Sequence, residues 1–178
     1  MWFSRPWRER VKRGGIKVSP TLSRQERGIF MYGIIYAQGG SVPRFEVIDH
    51  TADVGIIAYG SDLKEAFANA AYGMFSLIAD LEGVKEKVNR KVDVHSTDQE
   101  ALLVDWLNEL LYLFDVEHII FSKFEISYLS QNRLKAKVYG EKIDTSRHQL
   151  KTAVKAATYH MLKIEENKGI KVQFILDI

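Results

Sequence analysis

From Ser61 onward the chain repeats its apolar residues at the spacing of a helix. Leu63, Ala66, Phe67, Ala70, Ala71, Met74, Phe75 and Ile78 recur every three or four positions, which predicts an amphipathic helix capped by Ser61 whose apolar face must be covered. A second run obeys the same rule. Leu102, Leu103, Trp106, Leu107, Leu110, Leu113 and Phe114 share one face of a helix from Gln99 to about Asp115, with Thr97 or Asp98 as its cap. Most of the remaining patterned sequence alternates as strands do: Phe45 to Ile48, Val54 to Tyr59, Val84 to His95, Ile119 to Leu129, Arg133 to Glu141, from about Thr158, and Ile170 to Ile175. Ser130-Gln131-Asn132 and Asn167-Lys168-Gly169 read as hairpin turns between neighbouring strands. The pattern is therefore α+β, with two amphipathic helices packed on mainly antiparallel sheet in a single domain.

A chain of 178 residues supports one well-buried core and would crowd two. It has no cysteine, so disulfides and thiolate metal sites are excluded, and a reducing, cytoplasmic setting fits. No apolar run approaches the roughly 20 residues that span a bilayer. The net charge of +2 hides an asymmetry, because residues 1–44 carry nine Lys or Arg against two acids, leaving the rest at −5. Residues 1–40 therefore read as a basic, poorly structured extension, and 41–178 as the folded domain. Gly14-Gly15, Pro20, Gly39-Gly40 and Pro43 interrupt any regular element in this basic stretch. Its interleaved aromatic and basic residues are an RNA contact to consider beside the plainer reading of a loose tail. A further reading takes Ile29 to Ala37 as the apolar core of a signal peptide, against which stand an unusually long basic region before it and a poor small-residue cleavage pattern.

Asp49-His50-Thr51-Ala52-Asp53 places two carboxylates, an imidazole and a hydroxyl where two strands meet. Such residues are ordinary turn formers, and they also suit a hard cation. The chain ends Leu176-Asp177-Ile178, which sets a side-chain carboxylate beside the terminal one. Were this end to lie near Asp53, three carboxylates would converge and a cation would relieve their repulsion. All-oxygen ligation selects Ca²⁺, Mg²⁺ or Mn²⁺ without choosing among them. On the second helix, Asp105, Asn108, Glu109 and Tyr112 form one polar stripe, read as a solvated face with Asp105 at the edge of the buried one. No phosphate-binding glycine loop or nucleophile motif occurs. The rival enzymatic reading is a metal-dependent phosphohydrolase using Asp53, Asp177 and His160, which the acidity of the domain disfavours for polyanionic substrates.

Five motifs taken in order carry a resemblance. Asp-His-Thr-Ala-Asp-Val-Gly at 49–55, Leu-Val-Asp-Trp-Leu-Asn-Glu-Leu-Leu at 103–111, Arg-His-Gln-Leu-Lys-Thr at 147–152, Lys-Ala-Ala-Thr-Tyr-His at 155–160 and the terminal Leu-Asp-Ile resemble the archease family from Phe45 to Ile178. The resemblance implies a small α+β protein that is no catalyst itself and serves an RtcB-type RNA ligase in tRNA splicing. Its implied task is to promote metal- and GTP-dependent guanylylation and multiple turnover of the ligase, which uses the GTP. A chaperone-like partnership with a tRNA cytosine methyltransferase is implied as well. The family's cation, with calcium foremost, would fall to Asp53, Asp177 and Ile178, with His50, Asp105, Lys151 and His160 in supporting or partner-facing roles. Nothing in the resemblance reaches residues 1–40.

Overall fold

The structure, a computed structural model, describes residues 35–36, 43–49 and 53–178. Within them the elements run β1 (Ile35–Tyr36), β2 (Pro43–Asp49), β3 (Val54–Gly60), α1 (Leu63–Ile78), β4 (Val88–His95), α2 (Gln99–Glu117), β5 (Ile119–Leu129), β6 (Arg133–Lys142), β7 (Ala156–Glu166) and β8 (Ile170–Asp177). The α+β class expected from the periodicity is the one found, with two antiparallel sheets in place of one. The larger has the order β1-β2-β3-β8-β7 and the smaller β4-β6-β5. Among the described residues no helix is long and apolar enough to cross a membrane.

Helix α1 touches both sheets, meeting β2, β3 and β8 of the larger and β5 of the smaller. Its sequence suits that double burial. On one side small residues let the backbone approach closely, as at Gly73, where an added Cβ would sit 3.1 Å from the Phe45 ring and 3.3 Å from Ile56. On another, Phe75 packs edge-on against Phe114 and Phe121 with ring centroids 6.1 and 5.7 Å away. Helix α2 joins this core through Trp106, whose indole N–H donates to the Phe67 carbonyl at 3.2 Å. Burying one such aromatic side chain contributes on the order of 2–3 kcal/mol.

Several boundaries differ from the sequence reading, each for a local reason. Asp62, not Ser61, caps α1, its Oδ1 accepting from the Glu65 N–H at 2.9 Å. Ser61 instead donates its N–H and hydroxyl to the Glu65 carboxylate, closing a capping box one residue earlier. Asp98 is the cap of α2, as one of the two candidates. The strand expected from Val84 begins at Val88. Strand β7 starts at Ala156 rather than Thr158, because Ala156 and Ala157 already pair with Asp177 and Leu176. Glycine- and proline-rich sequence before residue 45 does not exclude a regular element, since Ile35–Tyr36 pairs with β2 and Pro43 opens that strand. Proline is tolerated at a strand's first residue. Residues 1–34, which hold most of the basic extension, lie outside the described residues.

The segment after β6 is tied down by one buried carboxylate. Glu141, only 2% exposed, accepts from the Lys85 N–H at 3.0 Å, Lys87 Nζ at 2.7 Å, Arg147 Nη2 at 2.9 Å and His148 Nε2 at 3.1 Å. The Asp144 N–H donates to His148 Nδ1 at 3.0 Å, so the ring keeps its proton on Nε2 and points it at Glu141. Burial pushes the Glu141 carboxyl up, but the bonds from Lys87, Lys85, Arg147 and His148 outweigh it and hold the pKa well below the ordinary carboxylate range.

Glu141→Gln should cost about 2 kcal/mol of stability at pH 7 by removing the charge its donors converge on. A depressed folded-state pKa gives stability that is complete above the unfolded value of 4.5 and is lost as pH falls below it. Urea unfolding curves of the wild type and variant should therefore converge between about pH 4 and pH 2. A gap that stays constant over that interval would show that the carboxylate carries no such linkage.

Candidate functional site

The strands β3 and β8 run antiparallel side by side, and Val54 pairs with Leu176. Asp53 immediately precedes Val54 and Asp177 immediately follows Leu176, so both adjoin the last pair of this ladder, whose strands lie about 4.8 Å apart. Ala156 of β7 flanks Asp177 on the other side. Two segments remote in sequence, the start of β3 and the end of β8, thus put Asp53, Asp177 and Ile178 at one end of the larger sheet. Beneath them Val54 and Leu176 face the core. Gly55 allows Ile48 and Ile175 to close over the opposite face, for a Cβ there would lie 2.4 Å from Ile48 and 3.1 Å from Ile175.

Asp53 is half-buried, whereas Asp177 and Ile178 are exposed. Lys155 sits over the chain end. Its Nζ donates to the Ile178 carboxyl oxygen at 2.9 Å and lies 3.8 Å from Asp177 Oδ1, while its N–H donates to the Asp177 carbonyl at 2.8 Å. An ammonium bridging two carboxylates marks the place as one that attracts positive charge. The donor set is all oxygen, which fits a hard divalent cation. Among the described residues no three His, Cys, Asp or Glu side chains form a metal-holding group. His50 and Thr51 lie outside the described residues, as does the Asp49 side chain.

The other expected residues are placed around this end rather than in it. Asp105 is half-buried, as its position on α2 suggested, and accepts from the Ser96 hydroxyl at 2.7 Å. Partial burial and the charges of Asp105 and Asp98 raise the pKa of Tyr159, an exposed phenol on β7 beside exposed His160. Lys151 serves the C-terminal end of α1, donating its Nζ to the Ser76 carbonyl at 3.2 Å and its N–H to that of Ile78 at 2.8 Å. The helix has no basic residue in its own last turn, so Lys151 supplies the charge its dipole favours there. Arg147 and His148 belong to the Glu141 network and not to the chain end.

Sequence reasoning missed Lys155 and misread Asn108. Apart from Asp105, the stripe on α2 reads as a solvated face, and Tyr112 is exposed accordingly. The Asn108 amide instead behaves as a one-residue strand, its Nδ2 donating to the Ala157 carbonyl at 3.1 Å and its Oδ1 accepting from the Ala157 N–H at 2.8 Å. It satisfies backbone groups that the edge strand β7 would otherwise leave open. An asparagine three residues after an acidic one on a helix carries no sign of that role by spacing alone.

Comparison with known proteins supports a family assignment over most of the chain. Residues 45–178 match the model of the Archease protein family (MTH1598/TM1083). Protein archease of Sulfolobus acidocaldarius is 42% identical over 137 residues, which span 76% of this chain and 99% of that protein. Protein archease of Pyrococcus abyssi is 44% identical over 126 residues, covering 69% of this chain and 89% of its own. The solution structure of Methanobacterium thermoautotrophicum protein 1598 superposes with a TM-score of 0.65 at 41% identity, covering 76% of this chain and 99% of that one. A Thermotoga maritima crystal structure described as an archease, possible chaperone, has a TM-score of 0.50 at 20% identity over 75% of this chain and 96% of its own, a likeness of fold.

Asn108→Ala should destabilise the protein by about 1–2 kcal/mol, since it strands two backbone groups of β7. Amide hydrogen exchange at Ala157 should quicken by roughly tenfold or more. Unaltered protection at Ala157 would show that the edge is held by other contacts.

Proposed function

This chain belongs to the archease family, and we propose that it is a metal-binding accessory factor that activates an RtcB-type RNA ligase in tRNA splicing. The observation that supports this reading is the pairing of Val54 with Leu176, the neighbours of Asp53 and Asp177, at the sheet end where the Lys155 ammonium lies between Asp177 and the Ile178 carboxyl oxygen. Asp53, Asp177 and Ile178 would hold Ca²⁺, Mg²⁺ or Mn²⁺, and the ion would supply concentrated positive charge at an otherwise anionic surface. The residues themselves do the rest. Asp53 is presented by the start of β3, Asp177 by the end of β8, and Lys155 orients the terminal carboxylate in the meantime.

In this reading the chain performs no bond chemistry and promotes the ligase's own metal- and GTP-dependent guanylylation and turnover. The net charge of −5 beyond residue 44 suits a partner whose surface is basic because it binds RNA. Asp105 and His160, near the exposed Tyr159, are proposed to face that partner, with His50 and Lys151 supporting the site. A chaperone-like service to a tRNA methyltransferase and a cytoplasmic site of action belong to the same proposal.

A ligation assay with purified RtcB-type ligase, broken tRNA, GTP and divalent metal tests it. Substoichiometric protein should raise ligase turnover, and the protein alone should neither join nor hydrolyse RNA or nucleotides. Metal-dependent cleavage by the isolated chain, abolished by Asp53→Ala, would replace this reading with the phosphohydrolase one. Asp53→Asn should remain folded by circular dichroism yet lose stimulation, since relieving crowded carboxylates does not harm a metal-free fold.

The chain end gives the sharpest check. A tag fused after Ile178 turns a carboxylate of pKa about 3.5 into a neutral amide and removes one ligand. Cation affinity measured by calorimetry should fall by about tenfold or more, the equivalent of roughly 1.4 kcal/mol. The same tag at Met1 should leave affinity unchanged. Equal calcium or manganese affinity in the two proteins would remove Ile178 from the site.

A further inference from the structure

At the opposite end of the larger sheet, about 20 Å along β3 from Asp53, lies a groove of about 930 Å³. It is walled by the start of β2, the N-terminal turns of α1 and the turn from Glu165 to Lys171. Gly169, with φ +124°, takes a backbone conformation that side chains rarely adopt, and a Cβ there would lie 3.2 Å from the Gly60 carbonyl oxygen. The turn can therefore lie close against the end of β3.

Arg44 enters this groove half-buried and rigidly held. Its Nε donates to Asn69 Oδ1 at 2.9 Å, and its guanidinium carbon lies 4.0 Å from the centroid of the Tyr72 ring. Asn69 is itself buried and fixed, donating its Nδ2 to the Tyr59 carbonyl at 2.7 Å. Among the described residues no carboxylate comes within 4.0 Å of Arg44, and neither of its Nη groups makes a hydrogen bond. Burial lowers the pKa of Arg44, against the opposing pull of Tyr72 and of Glu65.

A partly desolvated guanidinium is costly unless its remaining donors find acceptors. The acids of the groove do not supply them. Glu65 is exposed and takes both donors of Ser61, Glu165 is engaged by Lys163 and Lys171, and Glu166 is exposed to water. Lys168 stands exposed on the facing turn. With Nε already used by Asn69, the pair of Nη groups keeps the planar fork that meets two oxygens of one anion.

We propose that this groove binds a small oxyanion-bearing ligand, a phosphate or carboxylate carried on a compact molecule, with the Arg44 fork as its anchor and Lys168 as a secondary cation. The groove volume falls in the range of small-molecule sites. The site is separate from the Asp53 end and does not depend on the metal proposed there. The alternative is that Arg44 only braces Asn69 and Tyr72, in which case its replacement changes stability but not any anion response.

The test is a titration of the full, metal-free chain, followed by ¹⁵N–¹H NMR, with inorganic phosphate and with acetate in separate arms at ionic strength held constant with chloride. Saturable shifts at Lys168, Gly169 and the Arg44 side chain, with none at Lys155 or Asp177, are expected in at least one arm, and the arm that responds names the oxyanion. Arg44→Gln should weaken that binding by about tenfold or more. Arg44→Lys keeps the charge and the aliphatic stem over Tyr72, so it guards against a folding failure, and it should still lose several-fold for want of the fork. Lys168→Ala, on the exposed turn, should lose a few-fold. Absence of saturable shifts in both arms, or wild-type affinity in Arg44→Lys together with Arg44→Gln, would overturn the proposal.

Discussion

Burial of α1 between two sheets is the constraint on which the rest of the structure depends. A helix with one apolar stripe can lie on a single sheet and turn its other side to water, but Ala66, Phe67, Ala70, Ala71, Met74, Phe75, Leu77 and Ile78 are all buried. The smaller sheet is the second lid this helix requires, and α2 seals part of the remaining flank through Trp106 and Phe114. Once α1 is enclosed, its two ends become the two addresses of the larger sheet. Its N-terminal turns form a wall of the Arg44 groove, and its C-terminal carbonyls receive Lys151 on the approach to β7.

The chain end is built by topology more than by local sequence. Strands β3 and β8 are separated by more than a hundred residues, yet they pair along seven positions, the last of which, Val54 with Leu176, adjoins Asp53 and Asp177. That arrangement concentrates negative charge without burying much of it. Lys155 moderates the field at the surface, where an exposed ion pair contributes little to stability. The buried Glu141 cluster works differently. It fixes the loop before β7 to the segment before β4, so the path that carries Lys151 and Lys155 to their places starts from a rigid point.

What could be read from the residues follows the range of the forces involved. Both helices, the β5–β6 hairpin and the final turn declared themselves through periodicity and turn chemistry, which act within a few residues. The caps were off by one at Ser61 because two adjacent side chains both suit the role and only the backbone decides between them. The number of sheets, the partner of Asn108 and the convergence on Glu141 depend on contacts dozens of residues apart. An acid at a strand end, such as Glu141, looks like surface until Lys87 and Arg147 are seen to surround it. Asp53, Asp177 and Ile178 were expected together only on the condition that the final strand lay near Asp53, and the β3–β8 register, which pairs Val54 with Leu176, could not be read locally. Arg44 passed as one more charge in a basic stretch, since nothing local distinguishes a stacked, half-buried guanidinium from a solvated one.

The amide of Asn108 reaches beyond the one strand it touches. Between Thr158 and Lys163 the register of β7 against β8 shifts, and Met161 adopts φ 52°, so the outer margin of the sheet bends away just past the residue that Asn108 covers. A strand arriving from a second molecule would find no straight row of open donors and acceptors along this margin. Lateral zippering of one copy onto another is thereby obstructed at β7, so this margin of the sheet does not offer itself for continuous pairing with a second copy.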